Sequence, residues 1–267
     1  ANGQEGDDVI TGANQGPTGG ETLLGGQDND TITGAGGVDL LNGNQGDDSV
    51  TGGGDNDTIF GESGADTLVG LGGADTISGG DGDDNIDLGA AATAGTMNVG
   101  TGDAGDDTIT GGANSDSISG GVGGDVLIGG AGTDTIDGGT QNDTITGGTG
   151  KDILIGGAGS DRFVFSAGDS GSTVGAFDLI NDWDGANDRL HFNGPGVTYL
   201  ESTATDFASA ETAANGVIAA GTADVVAIQV GSDVVVFVDT GANNGTYEDA
   251  VVLVGRTIAD ISDTNIV

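Results

Sequence analysis

A nine-residue unit recurs through most of this chain, and it restricts the fold more strongly than any other feature of the sequence. One copy, Gly147–Ile155, reads GGTGKDILI; the next follows directly at Gly156–Val164, and the preceding one lies at Gly138–Thr146. The shared pattern is G-G-x-G-x-D-x-U-x, in which U is an apolar residue. A short fixed period of this kind indicates an architecture built by stacking one small structural unit many times.

The phase of the repeat is kept over two long runs. Residues 16–87 hold eight units, residues 102–164 hold seven, and a lone unit covers residues 3–11, which makes 16 units. Position one is glycine and position eight is apolar in all of them. Position four is glycine in twelve units and Asp28, Asp55, Asn114 or Gln141 in the others. Position six is always acidic, as Glu21 in one unit and as Asp8, Asp30, Asp39, Asp48, Asp57, Asp66, Asp75, Asp84, Asp107, Asp116, Asp125, Asp134, Asp143, Asp152 and Asp161 in the rest.

The residue types in the unit predict its local structure and its ligand. Glycines allow a tight loop with positive φ, and the x-U-x segment fits a short strand that points each U side chain into a core. Carboxylates recurring every nine residues would form a ladder of like charge, which needs cations between its rungs. Oxygen-only ligands, without histidine or cysteine, favour a hard ion such as Ca²⁺ over zinc or copper.

These repeats resemble the RTX nonapeptide, the calcium-binding repeat of bacterial secreted proteins, over more than half of the chain. The resemblance implies an all-β fold: a right-handed parallel β-roll in one or two blocks, in which six residues form a loop and three a strand. It also implies calcium between stacked loops, bound by the position-six aspartates but not by Glu21, and by carbonyls near positions two and four. The glycines implied are Gly26, Gly37, Gly46, Gly53, Gly64, Gly73, Gly80, Gly82, Gly105, Gly112, Gly121, Gly123, Gly130, Gly132, Gly139, Gly148, Gly150, Gly157 and Gly159.

The composition limits the partners of the chain. Its 267 residues include 43 acidic and four basic ones, for a net charge of −39, so nucleic acid and anionic membrane surfaces are poor partners and none is expected. There is no cysteine, so a small secreted fold needs another staple, and calcium is the candidate. No apolar run is long enough to span a membrane. Without calcium we expect disorder; a permanently disordered linker has no reason to keep apolar residues in phase.

Four segments are expected: residues 1–87 and 102–164 as two β-roll blocks, 88–101 as an interruption, and 165–267 as a cap with the export signal. Residues 12–15 interrupt the phase briefly. The longer interruption is either a bulge from one continuous roll or a joint between two rolls. Because the chain opens almost inside a repeat, we interpret it as the carboxy-terminal part of a longer protein.

All but one of the aromatic residues lie from Phe163 onward, and this region predicts a cap for the exposed edge of the roll. Residues 178–183 and 188–192 resemble the segment that follows the repeats in serralysin-type proteins. Residues 205–219 predict a helix with Phe207, Ala210, Ala214 and Val217 on one stripe, and residues 225–230, 234–238 and 250–254 predict strands. The acidic and apolar end at 258–267 resembles a type I secretion signal; the alternative is a last strand that packs down.

Catalytic motifs are missing from this sequence. The chain has no H-E-x-x-H and no G-x-S-x-G, and its one histidine, His191, lies in an alternating apolar strand, where a structural role is expected. Residues 239–245 look like a calcium loop but fall short of the EF-hand spacing, so a plain turn is favoured.

The expected function is a non-catalytic RTX module that folds on calcium outside the cell, with about 11 ions between stacked loops. Its partners would be calcium, the type I secretion machinery and, in a surface lattice, further copies of itself. The expected parent is a secreted S-layer protein at the bacterial cell surface. The alternative is the export and folding tail of a protease, lipase, toxin or adhesin.

Overall fold

The chain winds as a solenoid of about nine turns, in which two long β-sheets with parallel strands throughout the repeats face each other. The computed structural model describes residues 1–89, 96–170, 176–193, 199–219, 224–239, 247, 249–262 and 264–267. Successive strands alternate between the two sheets, so each sheet pairs strands that are two units apart in sequence. The expected parallel β-roll, with a single α-helix among the described residues, is therefore confirmed.

The strands of the two sheets account for nearly all of the repeat region. The first sheet consists of β1 (Asn2–Gln4), β3 (Thr22–Gly26), β5 (Leu40–Gln45), β7 (Thr58–Ser63), β9 (Thr76–Asp81), β11 (Asn98–Ala104), β13 (Asp116–Val122), β15 (Thr135–Thr140), β17 (Ile153–Ala158) and β19 (Asp178–Ile180), and continues through β24 (Asp249–Leu253), β23 (Asp233–Val238), β22 (Val225–Val230) and β21 (Tyr199–Ala204). The second sheet consists of β2 (Val9–Thr11), β4 (Thr31–Gly36), β6 (Ser49–Gly54), β8 (Thr67–Gly72), β10 (Asn85–Asp87), β12 (Thr108–Ala113), β14 (Val126–Gly132), β16 (Thr144–Gly150), β18 (Arg162–Phe165) and β20 (Arg189–Phe192).

Most repeat strands are longer than the three residues expected from the sequence. The strand β4 begins at Thr31, position seven of its unit, and runs through Gly36, position three of the next. Its register with β6 pairs Thr31 with Ser49 and Gly36 with Gly54, but skips position one. Glycine-rich residues at positions one to three thus extend the pairing, and only positions four to six form the turn.

The core of the roll is the column of position-eight side chains. All sixteen are buried, and the most exposed, Ile10 in the first turn, is only 8% accessible. Ile32, Leu68 and Ile109 belong to one continuous apolar cluster with the others. Full burial of such a side chain contributes roughly 1.5–3 kcal/mol. The strict apolar position eight is therefore the residue that holds the two sheets together.

Residues 88–101 are a single enlarged unit of one continuous roll. The strand β11 pairs in parallel with β9 before it and with β13 after it, so the first sheet passes through this point. Leu88 and Gly89 hold positions one and two, because the backbone of Gly89 stacks between Leu71 and Gly112. The sheet therefore continues through this point as one roll, whereas residues 90–95, on which the expected bulge falls, lie outside the described residues.

The early interruption at residues 12–15 is likewise inside a loop. A side chain at Gly12 would meet Glu21 and the Gly34 carbonyl, which is the environment of position one, whereas nothing lies within 4 Å of a Cβ at Gly16. Gly12 rather than Gly16 is thus the first residue of this unit. The inserted residues leave the strand and the position-six residue of the unit in register.

The roll continues beyond the last repeat visible in the sequence. The strand β19 extends the first sheet from β17, and β20 extends the second from β18. Ile180 and Leu190 pair with Leu154 and Phe163 and join the core. The segments that resemble the post-repeat region of serralysins are therefore two further half-turns.

An antiparallel layer closes the first sheet. The strand β24 pairs in parallel with β19 and antiparallel with β23. The strands β22 and β23 form the predicted hairpin around Gly231. The strand β21 pairs in parallel with β22 as an outer strand that the sequence analysis did not predict. The helix α1 (Phe207–Ala219) begins two residues later than expected. The residue before it, Asp206, caps the helix: its Oδ1 accepts a 2.8 Å hydrogen bond from Ser209 N. It buries Ala210, Ala214 and Ile218 against this sheet, and the expected Phe207 and Val217 pack against the same cluster, partly buried.

The end of the chain packs on the last turn of the second sheet. A short 3-10 helix spans Ile258–Asp260, and its Asp260 carbonyl accepts a 3.3 Å hydrogen bond from the Trp183 indole. Ile266 forms a parallel β-bridge with Leu190, and Leu190 N donates a 2.8 Å hydrogen bond to Asn265 O. The carboxy terminus thus covers an edge that would otherwise be open.

Two sequence expectations are limited by what the structure describes. Of the possible calcium loop at 239–245, only Asp239 lies within the described residues. Among the described residues, no helix is both long and apolar enough to cross a membrane.

Position four of the repeat imposes a left-handed backbone. The four residues that replace glycine there, Asp28, Asp55, Asn114 and Gln141, have φ between 72° and 81°. A left-handed conformation costs a residue with a Cβ roughly 1–2 kcal/mol. The glycine of the following turn also lies against the carbonyl of this position, so a side chain there would overlap backbone.

We therefore predict that Gly132→Ala destabilises the roll by about 2 kcal/mol more than Gly6→Ala. Both are position-four glycines with positive φ, but a Cβ at Gly132 would overlap the Asn114 carbonyl, whereas nothing lies within 4 Å of one at Gly6. Thermal unfolding of the two variants in the same calcium buffer measures the difference. Equal losses would show that backbone strain, and not the stacking of turns, explains the glycine.

Candidate metal sites

The position-six residues form two rows, one along each side of the roll. The first row contains Asp8, Asp30, Asp48, Asp66, Asp84, Asp107, Asp125, Asp143, Asp161 and Asp188. The second row contains Glu21, Asp39, Asp57, Asp75, Asn98, Asp116, Asp134, Asp152 and Asp178. Asp8 and Glu21 are half-buried, and every other member is buried. The structure thus brings together all fifteen aspartates expected from the sequence.

One oxygen of each carboxylate connects successive turns. Asp30 N donates to Asp48 Oδ1 at 2.7 Å, and Asp48 N donates to Asp66 Oδ1 at 2.7 Å. The same bond repeats along both rows at up to 3.2 Å. A carboxylate that accepts a backbone N–H makes a charge-assisted hydrogen bond, which is stronger than a neutral one. Each position-six residue is one rung of its row, and inside the row it is therefore held in place by a backbone N–H of the preceding turn.

The second carboxylate oxygen has no partner. In sixteen aspartates, the fifteen expected ones and Asp178, Oδ2 is buried and makes no hydrogen bond to any described residue. A buried charged oxygen without a partner is strongly unfavourable. Sixteen such atoms at equivalent positions along two rows indicate places where a cation binds.

The burial of the rows shifts their protonation. Desolvation raises the pKa of Asp57, Asp107 and Asp143 to about 7 and that of Asp48 and Asp134 to about 6, against the lowering effect of the backbone hydrogen bonds. For Asp178 burial raises the pKa to about 8. Because these values lie above the 3.8 of an exposed aspartate, the metal-free fold loses stability as pH rises from about 4 through about 8. A bound cation would offset this loss at neutral pH.

Position one explains why glycine begins every repeat. A Cβ at Gly25 would meet both Asp30 Oδ2 of the same unit and the Gly43 carbonyl of the next turn. In all fifteen aspartate units the position-one Cβ would lie 2.7 Å or less from Oδ2. The space beside Gly25 therefore borders both the unpartnered carboxylate oxygen and the position-one carbonyl of the next turn, an acceptor that the sequence analysis did not include among the ligands.

The glycines at positions two and four stack in columns beside the rows. All nineteen expected ones except Gly159 have positive φ. The carbonyls of nine of them point at the same position of the next turn: Gly46, Gly64, Gly82, Gly105, Gly112, Gly121, Gly130, Gly132 and Gly139. Gly46, Gly64, Gly82, Gly105 and Gly132 are position-four residues at the turns, whereas Gly112, Gly121, Gly130 and Gly139 are position-two residues inside paired strands. Calcium binding by these carbonyls stays a prediction.

The ends of the rows differ from the middle. Glu21 Oε2 accepts a 2.6 Å bond from Ala13 N, and Oε1 accepts one from Gln15 Nε2, so the inserted loop satisfies this carboxylate. At the other end Asp188 accepts Asp161 N with Oδ1 and Asp184 N with Oδ2. Asp178 by contrast keeps a free Oδ2 and extends the second row.

Three members of the rows were missed by the sequence analysis. Asn98, Asp178 and Asp188 follow insertions, so they lie 23, 26 and 27 residues after their partners Asp75, Asp152 and Asp161 instead of 18. The Asp-x-apolar pattern at Asp178-Leu179-Ile180 and Asp188-Arg189-Leu190 is the signal that could have identified two of them.

His191 lies outside both rows. It is half-buried in β20, and its Nε2 lies 3.1 Å from Asn193 Oδ1. No cluster of three or more His, Cys, Asp or Glu side chains that could hold a metal occurs in the described part of the chain.

The donor set fits calcium. Hard oxygen ligands from carboxylates and backbone carbonyls are those that Ca²⁺ takes, six to eight at a time. Where two successive aspartates of a row both have an unpartnered Oδ2, the space between their turns offers two buried Oδ2 atoms and neighbouring carbonyls. Calcium would supply the positive charge that the buried oxygens lack, and the residues of each row would hold it between turns.

The fold and the rows together define a calcium-binding parallel β-roll. The sequence model of the RTX calcium-binding nonapeptide repeat (4 copies) matches residues 16–50, 33–68, 60–92, 96–127 and 128–163, more than half of the chain. The chain belongs to the RTX calcium-binding repeat family, whose members are typically secreted. No match was found among curated proteins.

Solved structures with similar chains include two subunits of one enzyme and a lipase. The AlgE6R3 subunit of the Azotobacter vinelandii mannuronan C5-epimerase is 30% identical over 61% of this chain and 77% of its own, with a TM-score of 0.25. The AlgE6R2 subunit is 25% identical over 73% and 92%, with a TM-score of 0.31. The extracellular lipase LipA from Serratia marcescens is 16% identical over 99% of this chain and 40% of its own, with a TM-score of 0.27.

We predict that Asp134→Ala reduces the number of bound calcium ions by one or two and raises the calcium concentration needed for folding. Asp134 Oδ1 accepts Asp116 N at 2.8 Å and its Oδ2 is free, so the residue borders two spaces in the second row. Equilibrium dialysis and a calcium titration followed by circular dichroism measure both effects. His191→Ala, which touches neither row, is the control; a larger effect of this variant would show that the sites are misplaced.

Proposed function

We propose that this chain is a non-catalytic module that stays unfolded where calcium is scarce and folds when it meets millimolar calcium outside the cell. The observation that carries the proposal is the set of sixteen buried, unpartnered carboxylate oxygens in a chain of net charge −39. Without cations the roll would bury like charges in rows, and with cations the same atoms become ligands. Metal binding then contributes directly to folding.

The number of ions follows from the rows. If one calcium binds between each two successive aspartates with free Oδ2, the first row has eight spaces, Asp8 to Asp161, and the second has five, Asp39 to Asp75 and Asp116 to Asp178. We propose about 13 ions. This exceeds the 11 expected from the sequence, because the rows pass through the insertions.

The carboxy terminus is proposed to serve first as an export signal and then as a cap. The segment 258–267 is acidic and apolar, as in cargo of type I secretion machinery, and in the folded chain Ile261 and Ile266 are buried in the core. The two roles do not conflict, because the exporter would read the segment while the chain is unfolded and folding would follow export.

For the parent protein we propose a secreted S-layer protein at the bacterial surface, with calcium-dependent assembly of a lattice. The support is compositional: the chain has one lysine, no cysteine, and abundant glycine, threonine and alanine. An export tail on an enzyme or adhesin is the alternative, and the residues preceding this chain in its parent distinguish the two.

The calcium-free chain is predicted to be a coil at about pH 8 and to regain part of its β-structure at about pH 5. At the lower pH the buried aspartates, whose pKa values reach about 7 in the fold, take up protons and their repulsion falls. Far-UV circular dichroism in chelator measures both states, and calcium added at pH 8 should restore the full signal. Sodium chloride of equal ionic strength is the control for screening. A β-signal that survives chelator at pH 8 in low salt contradicts calcium-dependent folding.

Deletion of residues 258–267 is predicted both to raise the calcium midpoint and to keep the protein inside the cell. The matched control is Phe192→Ala, which removes the ring that stacks on Phe165 at 5.5 Å and weakens the same end of the roll, but leaves the terminus intact. Both variants should fold at higher calcium, and only the deletion should be absent from the cell surface in immunogold electron microscopy. Export of both to the same extent would show that the terminus is a structural strand alone; the same micrographs show whether the exported protein forms a lattice.

A further inference from the structure

The enlarged unit at residues 88–101 departs from the repeat at three positions together. Position one is Leu88 instead of glycine, position six is Asn98 instead of an acid, and position eight is Gly100 instead of an apolar residue. The Leu88 carbonyl faces Gly70, as the Gly102 carbonyl faces Gly79 one unit later, so the assignment of position one rests on equivalent contacts.

Two of the three changes compensate each other in the core. Gly100 pairs with Ile77 and Ile118, so it stands in the column of apolar side chains but contributes none. Leu88 is fully buried, and a Cβ built on Gly100 would lie 2.9 Å from Leu88 Cδ2 and 3.1 Å from Cδ1. The leucine of position one therefore fills the space that position eight leaves.

A leucine at position one is incompatible with an aspartate at position six of the same unit. In the aspartate units a Cβ at position one would lie 2.7 Å or less from the free Oδ2 of the same unit, so a side chain and that oxygen compete for one space. Leu88 carries a side chain at this position. A carboxylate at residue 98 could not then keep its oxygen where the other units present it to a cation.

Asn98 makes the hydrogen bonds that join the turns but has no second carboxylate oxygen to bind metal. Its Oδ1 accepts Asp75 N at 3.0 Å, and its own N donates to Asp116 Oδ1 at 3.2 Å, as in the rungs inside both rows. The remaining atom is Nδ2, which is buried and makes no close hydrogen bond to the described residues. Burial raises the pKa of the neighbouring Asp116 carboxyl, and the Asn98 side chain acts on that carboxyl as a donor that lowers its pKa. An amide NH₂ is a donor without lone pairs and does not ligate a cation.

We propose that the unit at residues 88–101 is a calcium-free rung, which the Leu88 core contact holds in place of an ion. It divides the second row into an amino-terminal array of Asp39, Asp57 and Asp75 and a carboxy-terminal array of Asp116, Asp134, Asp152 and Asp178. The first row runs past it, since Asp84 N donates to Asp107 Oδ1 at 2.8 Å. Calcium then loads the second row as two separate arrays. The inference rests on the proposed binding of calcium between the rungs.

The test restores the ordinary repeat in two steps. The double variant L88G/G100L returns the core side chain to position eight and keeps Asn98, and the triple variant L88G/N98D/G100L also supplies the carboxylate. Native mass spectrometry at saturating calcium counts the ions on each. We expect the double variant to bind as many ions as the natural chain and the triple variant one or two more, because the rung borders two spaces. Asn142→Asp, which adds a carboxylate at an exposed position outside the rows, controls for charge and should add no ion.

A second comparison needs no repacked core. Asn98→Ala should leave the number of ions unchanged, whereas Asp116→Ala in the neighbouring rung should lower it by one. A loss of ions from Asn98→Ala, or an equal count in the folded double and triple variants, overturns the proposal. If the natural chain itself binds no calcium in its rows, the proposed function fails; if it binds calcium but the triple variant gains no ion, only the calcium-free rung fails.

Discussion

The fold depends on one carboxylate per half-turn whose two oxygens have different tasks. Oδ1 accepts the backbone N–H of the preceding turn, as in the bond from Asp116 N to Asp134 Oδ1, and so joins the turns directly. Oδ2 is buried and unpartnered. The same residue therefore fixes the geometry of the roll and makes that geometry unfavourable without a cation. Structure and calcium dependence are coupled in a single side chain.

The roll tolerates insertions because only part of each unit is tied to its neighbours. Position eight is held by the core and position six by the backbone of the adjacent turn, so extra residues are accommodated between positions two and six. The units that begin at Gly12 and Leu88 both follow this rule. Strand register on each side of the insertion is unchanged, as the pairing of β11 with β9 and β13 shows.

The carboxy-terminal layer solves a problem that the repeats cannot solve themselves. A parallel roll ends in two open strand edges. The first sheet is continued by β24 and the antiparallel hairpin, and the helix α1 covers the outer face of that extension. The second sheet ends at β20, whose edge the last residues of the chain cover. Strands such as β23 are buried on both faces, which explains why their sequences are continuously apolar.

The sequence by itself determined the repeated architecture, the buried position eight, fifteen of the row aspartates and the three strands of the terminal layer. These follow from local pattern, because a regular nine-residue unit places equivalent atoms at equivalent points of each turn. Only the tertiary structure decided that Asn98, Asp178 and Asp188 continue the rows, that Gly12 begins its unit, and that Leu88 fills the core at Gly100. Contacts in the roll join residues one full turn apart, so an insertion of any length hides the partner in the sequence. Stacking restores the register in space, since the core side chains and the backbone bonds to Oδ1 fix where each turn lies.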